Sequence, residues 1–151
     1  MKTKLLATLL LGAALFSSAT SVRAGEQPPT DSKPLSEILK ALEAQDIGTI
    51  TEAEFEDGFW EVKVHKGTAW QKLYLNPRTG DEQRRHATDY DDVPPADSKL
   101  ISAIVEAVEA RELGTITEAE FDDGVWEVEL RKNGTKIKLK LDPATGDPIR
   151  Y

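Results

Sequence analysis

Apolar positions along this chain change their period in the same order twice. Leu35, Ile38, Leu39 and Leu42 fall on one stripe at helical spacing, as do Ile101, Ile104, Val105 and Val108. Each stripe predicts an amphipathic helix. Asp31 or Ser32 can cap the first one, with Pro34 tolerated in its first turn, and Gly48 and Gly114 are placed to help end the two helices. Beyond each helix the period falls to two. Asp57-Gly58, Asp123-Gly124 and Asn133-Gly134 suit two-residue turns with positive φ, so a three-stranded meander follows in each half. Pairing across the first turn sets Phe55 opposite Trp60, Ala53 opposite Val62 and Thr51 opposite Val64, and Leu73 and Leu75 join that face. The matching face of the second half is Phe121, Trp126, Val128, Leu130, Ile137, Leu139 and Leu141. An Asn/Asp-Pro-x-Thr-Gly-Asp segment closes each meander in a tight turn, with room for a short fourth strand after it.

The two halves are a tandem duplication. Gly48-Thr49-Ile50-Thr51-Glu52-Ala53-Glu54-Phe55 returns letter for letter as Gly114-Thr115-Ile116-Thr117-Glu118-Ala119-Glu120-Phe121. At the same offset, 32 of the 58 pairs from Pro28/Pro94 to Arg85/Tyr151 are identical without a gap. The fold class is therefore α+β: two tandem αβββ units, each a helix packed on an antiparallel meander sheet. A unit of about 60 residues buries too little surface to be robust alone, so the copies are expected to pack together and align their sheets edge to edge. The acidic link Thr88-Asp89-Tyr90-Asp91-Asp92-Val93-Pro94-Pro95 divides them near residue 93. The reading is a signal peptide over 1–24, a first repeat with leader and linker over 25–93, and a second repeat over 94–151.

The N-terminus sets the expected compartment. Lys2 and Lys4 precede an apolar run from Leu5 to Phe16, and Val22-Arg23-Ala24 offers small residues at the −3 and −1 positions. This pattern predicts a bacterial-type signal peptide cleaved after Ala24, with Ala19 as the alternative point. The run is short of the ~20 residues a membrane span needs, so no stable anchor is expected after cleavage. The expected location is periplasmic or secreted. Cleavage removes three cations and no carboxylate, taking the formal charge from −8 to −11. Such a surface repels nucleic acid and anionic lipid, whose binding begins with Lys and Arg neutralising phosphates. There is no cysteine, hence no disulfide or thiolate chemistry.

In its order of helix, strand, acidic-Gly turn, aromatic-Glu-Val strand and closing Asp-Pro-x-Thr-Gly segment, the chain resembles the PepSY domain family. The second copy carries the fuller pattern: Ile116, Glu118, Glu120, Asp123-Gly124, Trp126-Glu127-Val128 and Asp142-Pro143-Ala144-Thr145-Gly146. The first departs at Asn76 and at Gly67-Thr68. The resemblance implies a small secreted or cell-envelope module, often in tandem, proposed to bind or inhibit peptidases or to sense ligands. It brings no catalytic residues.

The residues themselves offer little chemistry. His65 and His86 are the only histidines, and the chain has no Gly-x-Ser-x-Gly elbow, phosphate loop or zinc spacing. No enzyme activity, metal or cofactor is expected. Asp89, Asp91, Asp92 and Asp97 match no EF-hand loop and read as a self-repelling extended linker. The carboxylates of the strands are expected on wet faces, unfit for general acid–base work. The outer faces of the two copies differ more. In the second, Glu129 stands beside Lys138 and Glu127 beside Lys140, a solvated ladder of opposite charges. In the first, Phe59, Trp70 and Tyr74 point outward, with His65 opposite Trp70 and Glu61 opposite Tyr74. Phe59, Trp70, Tyr74, His65 and Glu61 are the candidate partner-binding residues, for a protein or peptide of the cell envelope, a peptidase among them. The competing account packs Trp70 and Tyr74 against the other repeat, the linker or a subunit. Two further readings are a ligand or cation sensor using Glu54 with Glu61 and Glu120 with Glu127, and a structural envelope component assembled through sheet edges.

Overall fold

A computed structural model of the chain describes residues 26–150. The signal-peptide reading of residues 1–24 lies outside the described residues. Nine elements follow in order: α1 (Leu35–Glu43), β1 (Thr49–Glu56), β2 (Phe59–Lys66), β3 (Ala69–Leu75), β4 (Glu82–Ala87), α2 (Ile101–Glu109), β5 (Thr115–Asp122), β6 (Val125–Lys132) and β7 (Thr135–Leu141). The strands form one antiparallel sheet in the order β4-β3-β2-β1-β5-β6-β7. The expected edge-to-edge alignment is therefore present, with α1 and α2 together covering one face of a shared sheet.

Each turn follows from its residues. Asp57 and Gly58 have φ of 48° and 83°, Asp123 and Gly124 49° and 83°, and Asn133 and Gly134 52° and 77°. In the Pro-x-Thr-Gly segments, the Asn76 side-chain oxygen accepts from the backbone N–H groups of Arg78 and Thr79, and Asp142 does the same for Ala144 and Thr145. These residues shape turns, as expected. Gly48 acts differently from the expectation, because α1 ends at Glu43 and Gly48 lies beyond it. A Cβ on Gly48 would stand 2.5 Å from the carbonyl oxygen of His65, so glycine lets β1 start tightly against the end of β2.

Three further expectations change. The first unit fills the room left for a fourth strand with β4, which makes it αββββ rather than αβββ. The second has only a bridge between Leu141 and Pro148 at that place, Pro148 and Ile149 standing where the first repeat has Glu82 and Gln83. Val64 pairs with Ile50 rather than Thr51, because a bulge between Ile50 and Glu52 slips the register, and the same slip pairs Ile116 with Leu130. Neither Asp31 nor Ser32 caps α1. Pro34 holds the N-cap place, and Asp31 accepts from Arg78 Nε at 2.7 Å, because Lys33 N–H bonds Pro77 O and ties this segment to the turn after β3.

The helices cap each other instead. Glu109, in the last turn of α2, accepts from Ser36 N–H at 3.3 Å and Ser36 Oγ at 2.5 Å. Glu43, in the last turn of α1, accepts from Ser102 N–H at 3.1 Å and Ser102 Oγ at 2.5 Å. A carboxylate is unfavourable at its own helix C-terminus and favourable at another helix's N-terminus, so antiparallel packing resolves both. Between sheet and helices lies one core, with Leu39, Val62, Leu73, Ile104, Val128 and Leu141 fully buried. The repeats meet along β1 and β5, where Ala53 faces Ala119 at the centre of a near two-fold relation, and both are fully buried.

Candidate functional site

With helices on one side, chemistry is left to the outer face of the sheet, which has three zones. The first spans β2, β3 and β4. His65 stacks on Trp70 with ring centres 4.5 Å apart, and Phe59 meets Tyr74 edge-on at 6.4 Å. Tyr74 also touches His86 at 5.2 Å, and the Arg84 guanidinium lies over the Tyr74 ring at 3.9 Å and the Phe59 ring at 5.5 Å. Between the two aromatic groups, Lys72 Nζ holds Glu61 at 2.6 Å. All five sequence-predicted residues thus share one face, in the predicted pairing of His65 with Trp70 and Glu61 with Tyr74. They are not equally open. Phe59, His65 and Trp70 are half-buried, whereas Tyr74, beneath Arg84, and Glu61, beneath Lys72, are buried.

The second zone is the carboxylate centre along β1 and β5. Glu52 faces Glu120 and Glu54 faces Glu118 across the junction of the repeats, while Glu54 faces Glu61 and Glu120 faces Glu127 within them. The expectation of wet carboxylates fails here: Glu52, Glu61, Glu127 and Glu129 are buried, and Glu54, Glu118 and Glu120 half-buried. Lysines pair with Glu52, Glu61, Glu127 and Glu129, and the linker after β4 crosses this face. Asp91 accepts from Lys63 Nζ at 2.5 Å, and Asp92 accepts from the backbone N–H of Asp123 at 3.3 Å. Lys63 also binds Glu52. Burial works against the Lys63 charge, but the bonds it donates to Asp91 and Glu52 outweigh that and hold its pKa above the usual lysine value.

Glu118 has no such lysine opposite it. Burial, then the like charges of Glu120, Glu129 and Glu54, push its pKa up to about 7. Glu54 and Glu120 are raised as well, chiefly by burial, then by Glu56 and Glu52 respectively. Two carboxylate groups, Asp92 with Asp122 and Asp123, and Glu120 with Asp122 and Glu127, place ligand oxygens within 4.8 Å of one another. In the second group Glu127 already takes Lys138 and Lys140.

The third zone, on β6 and β7, is the expected ladder. Glu127 faces Lys140 and Glu129 faces Lys138. Lys140 reaches Glu127 at 2.6 Å, Lys136 reaches Glu129 at 2.6 Å, and Lys138 binds Glu127 closely, which keeps the Glu127 pKa below the usual glutamate range.

The model of a family described as "Peptidase propeptide and YPEB domain" matches residues 4–85 and again 86–151. The chain belongs to this PepSY family. The tandem PepSY match agrees with the duplication read from the residues. Among solved structures, the crystal structure of a "putative lipoprotein" from Clostridium difficile 630 aligns over 85% of this chain and 95% of its own, at 11% identity and a TM-score of 0.47. Likeness at that level says nothing of function. No curated protein matches the chain. Among the described residues of this PepSY chain, no helix is long and apolar enough to cross a membrane.

Two contributors to the outer face escape sequence reasoning. Arg84 and His86 belong to β4, a segment whose polar letters give no strand period, yet they complete the aromatic zone. The raised Glu118 had a signal in the repeat itself, because Lys63 of the first copy is replaced by Glu129 in the second.

Proposed function

We propose that this PepSY chain is an exported, non-enzymatic binding module that takes a protein or peptide against the outer face of its first repeat. A peptidase is the favoured partner, restrained by occlusion. The observation that carries this reading is the ordered surface of Phe59, Tyr74, His86 and Arg84 beside the stacked His65–Trp70 pair, the second repeat having Lys136 and Lys140 in place of Trp70 and Tyr74. Rings held by stacking and by a guanidinium lose little conformational freedom on binding, and aromatic and arginine side chains dominate protein interfaces. The family's description as a peptidase propeptide domain supports the choice of partner.

The test uses a Trp70→Lys/Arg84→Glu variant, which spares buried Tyr74. The mature protein should capture a partner from an extract of exported proteins, and the folded variant should not. A captured peptidase should lose activity when the module is added back. Equal capture by variant and wild type would overturn the assignment of the face, and undiminished peptidase activity would remove the restraint. A second reading, cation sensing at the carboxylate centre, is favoured by the like-charged pairs Glu52–Glu120 and Glu54–Glu118. It requires a rise in melting temperature with millimolar calcium that magnesium or sodium of equal ionic strength does not reproduce.

A further inference from the structure

The two ends of the sheet are built unequally. In the first repeat β4 lies along β3: His86 pairs with Lys72, Arg85 with Leu73, and Thr88 N–H donates to Trp70 O at 3.1 Å. Leu73 is fully buried there. In the second repeat the equivalent edge of β7 has only the Leu141–Pro148 bridge and Ile149 N–H donating to Lys140 O at 2.8 Å. By the two-residue period of a strand, the backbone groups of Lys136 and Lys138 point the same way as the Lys140 carbonyl. Among the described residues no strand pairs with them. Leu139, the counterpart of Leu73, is only partly buried, and so is Ile137, which replaces the polar Gln71.

Charge gives this edge a direction. From Leu130 to Leu141 the chain carries Arg131, Lys132, Lys136, Lys138 and Lys140 and no acidic residue, in a protein of net charge −8. Lys136, Lys138 and Lys140 line one face of the strand with 53%, 41% and 39% of their side chains exposed, and they pair with Glu127 and Glu129 of β6. Lysines on an edge strand also deter random pairing. That role alone gives no account of an isoleucine where the covered edge of the first repeat has glutamine.

We propose that the open edge of β7 receives an extended segment of a partner protein as an eighth, antiparallel strand. This segment carries carboxylates on the residues facing the lysine row, and apolar side chains on the alternate residues, over Ile137 and Leu139. Main-chain bonds to Lys136 and Lys138 supply the pairing, and the lysines select the sequence. The site lies at the opposite end of the sheet from the aromatic zone and does not depend on it.

The test titrates the isotope-labelled chain with a short blocked peptide alternating glutamate and valine, read by backbone amide NMR, with the lysine–valine peptide as comparison. Shifts should be confined to β7 and Ile149, favour the glutamate peptide and weaken with salt. Lys138→Pro removes an amide that points away from β6 and one cation of the ladder, so it should lower the melting temperature only modestly, with Lys140 still on Glu127 and Lys136 still on Glu129, and weaken binding by at least about tenfold. Lys136→Gln/Lys138→Gln should abolish the preference for glutamate, and it decides the matter if the proline variant unfolds. Trp70→Lys/Arg84→Glu should bind the peptide as wild type does. The proposal is overturned by an absence of shifts at millimolar peptide, by shifts centred on Phe59–Tyr74 or β4, by undiminished binding in the variants, or by β7 amides already protected in a self-associated chain.

Discussion

Residues 63 and 129 occupy the same place in the two repeats and carry opposite charges. In the first, Lys63 stands opposite Glu52 and ties it to Asp91 of the linker. In the second, Glu129 stands opposite Glu118, and its own charge is taken up from the other side by Lys136 and Lys138. Glu118 thus lacks the cation that Glu52 has, and burial, followed by the like charges of Glu120, Glu129 and Glu54, pushes its pKa up to about 7. A duplicated fold can keep every core contact while the polar chemistry above it diverges, because the two faces of a strand answer to different neighbours.

The largest effect should come from breaking the neutralised side. Lys63→Met leaves Glu52 and Asp91 without their shared cation at a site where the Lys63 and Glu52 side chains are only 16% and 11% exposed. A loss of about 2–3 kcal/mol is expected in urea unfolding, because partly covered charges lose a partner but can protonate in response. Faster amide exchange across the linker should accompany it. Unchanged stability would mean that solvent already screens this pair.

Next comes the unneutralised side. The Glu118 pKa is higher folded than unfolded, so its contribution to stability is complete below about pH 4.5 and is lost as pH rises through about 7. Glu54 and Glu120 act in the same sense. Glu118→Gln should flatten the fall in stability across that window and stabilise the protein at pH 8 by about 1–2 kcal/mol, a figure already reduced for solvent screening. A carbon-detected titration placing Glu118 at an ordinary glutamate pKa would refute the contrast between the repeats. The smallest effect belongs to the ladder: Lys140→Gln should cost under about 1 kcal/mol in the same urea assay, since an exposed lysine leaves Glu127 with Lys138 still bound.

Much of this arrangement was legible in the letters, for identifiable reasons. The helical stripes, the Asp-Gly turns and the pairs Phe55–Trp60, His65–Trp70 and Glu127–Lys140 follow from periodicity and turn chemistry alone. The bulge had a trace, since Ile50 and Ala53 are three apart on a face that otherwise repeats every two residues. The turn after β3 left room for β4, but its letters could not fix it, because Glu82–Ala87 is exposed along its whole length and so has no apolar period. Burial of the carboxylates was hidden because their cover comes from distant residues such as Asp91, which no local pattern connects to Lys63. For the same reason the aromatic face could be placed from the sequence while the covering of Tyr74 by Arg84 could not.

The reciprocal caps Glu109–Ser36 and Glu43–Ser102, together with the Ala53–Ala119 crossing, make the contact between repeats self-complementary: each half offers the other the same surface it receives. In the language of assemblies this is an isologous interface inside one polypeptide, the arrangement of a two-fold homodimer whose protomers have been fused. A free homodimer must change both its faces at once. Fusion lifts that restriction: one half carries Trp70 and Tyr74 where the other carries Lys136 and Lys140.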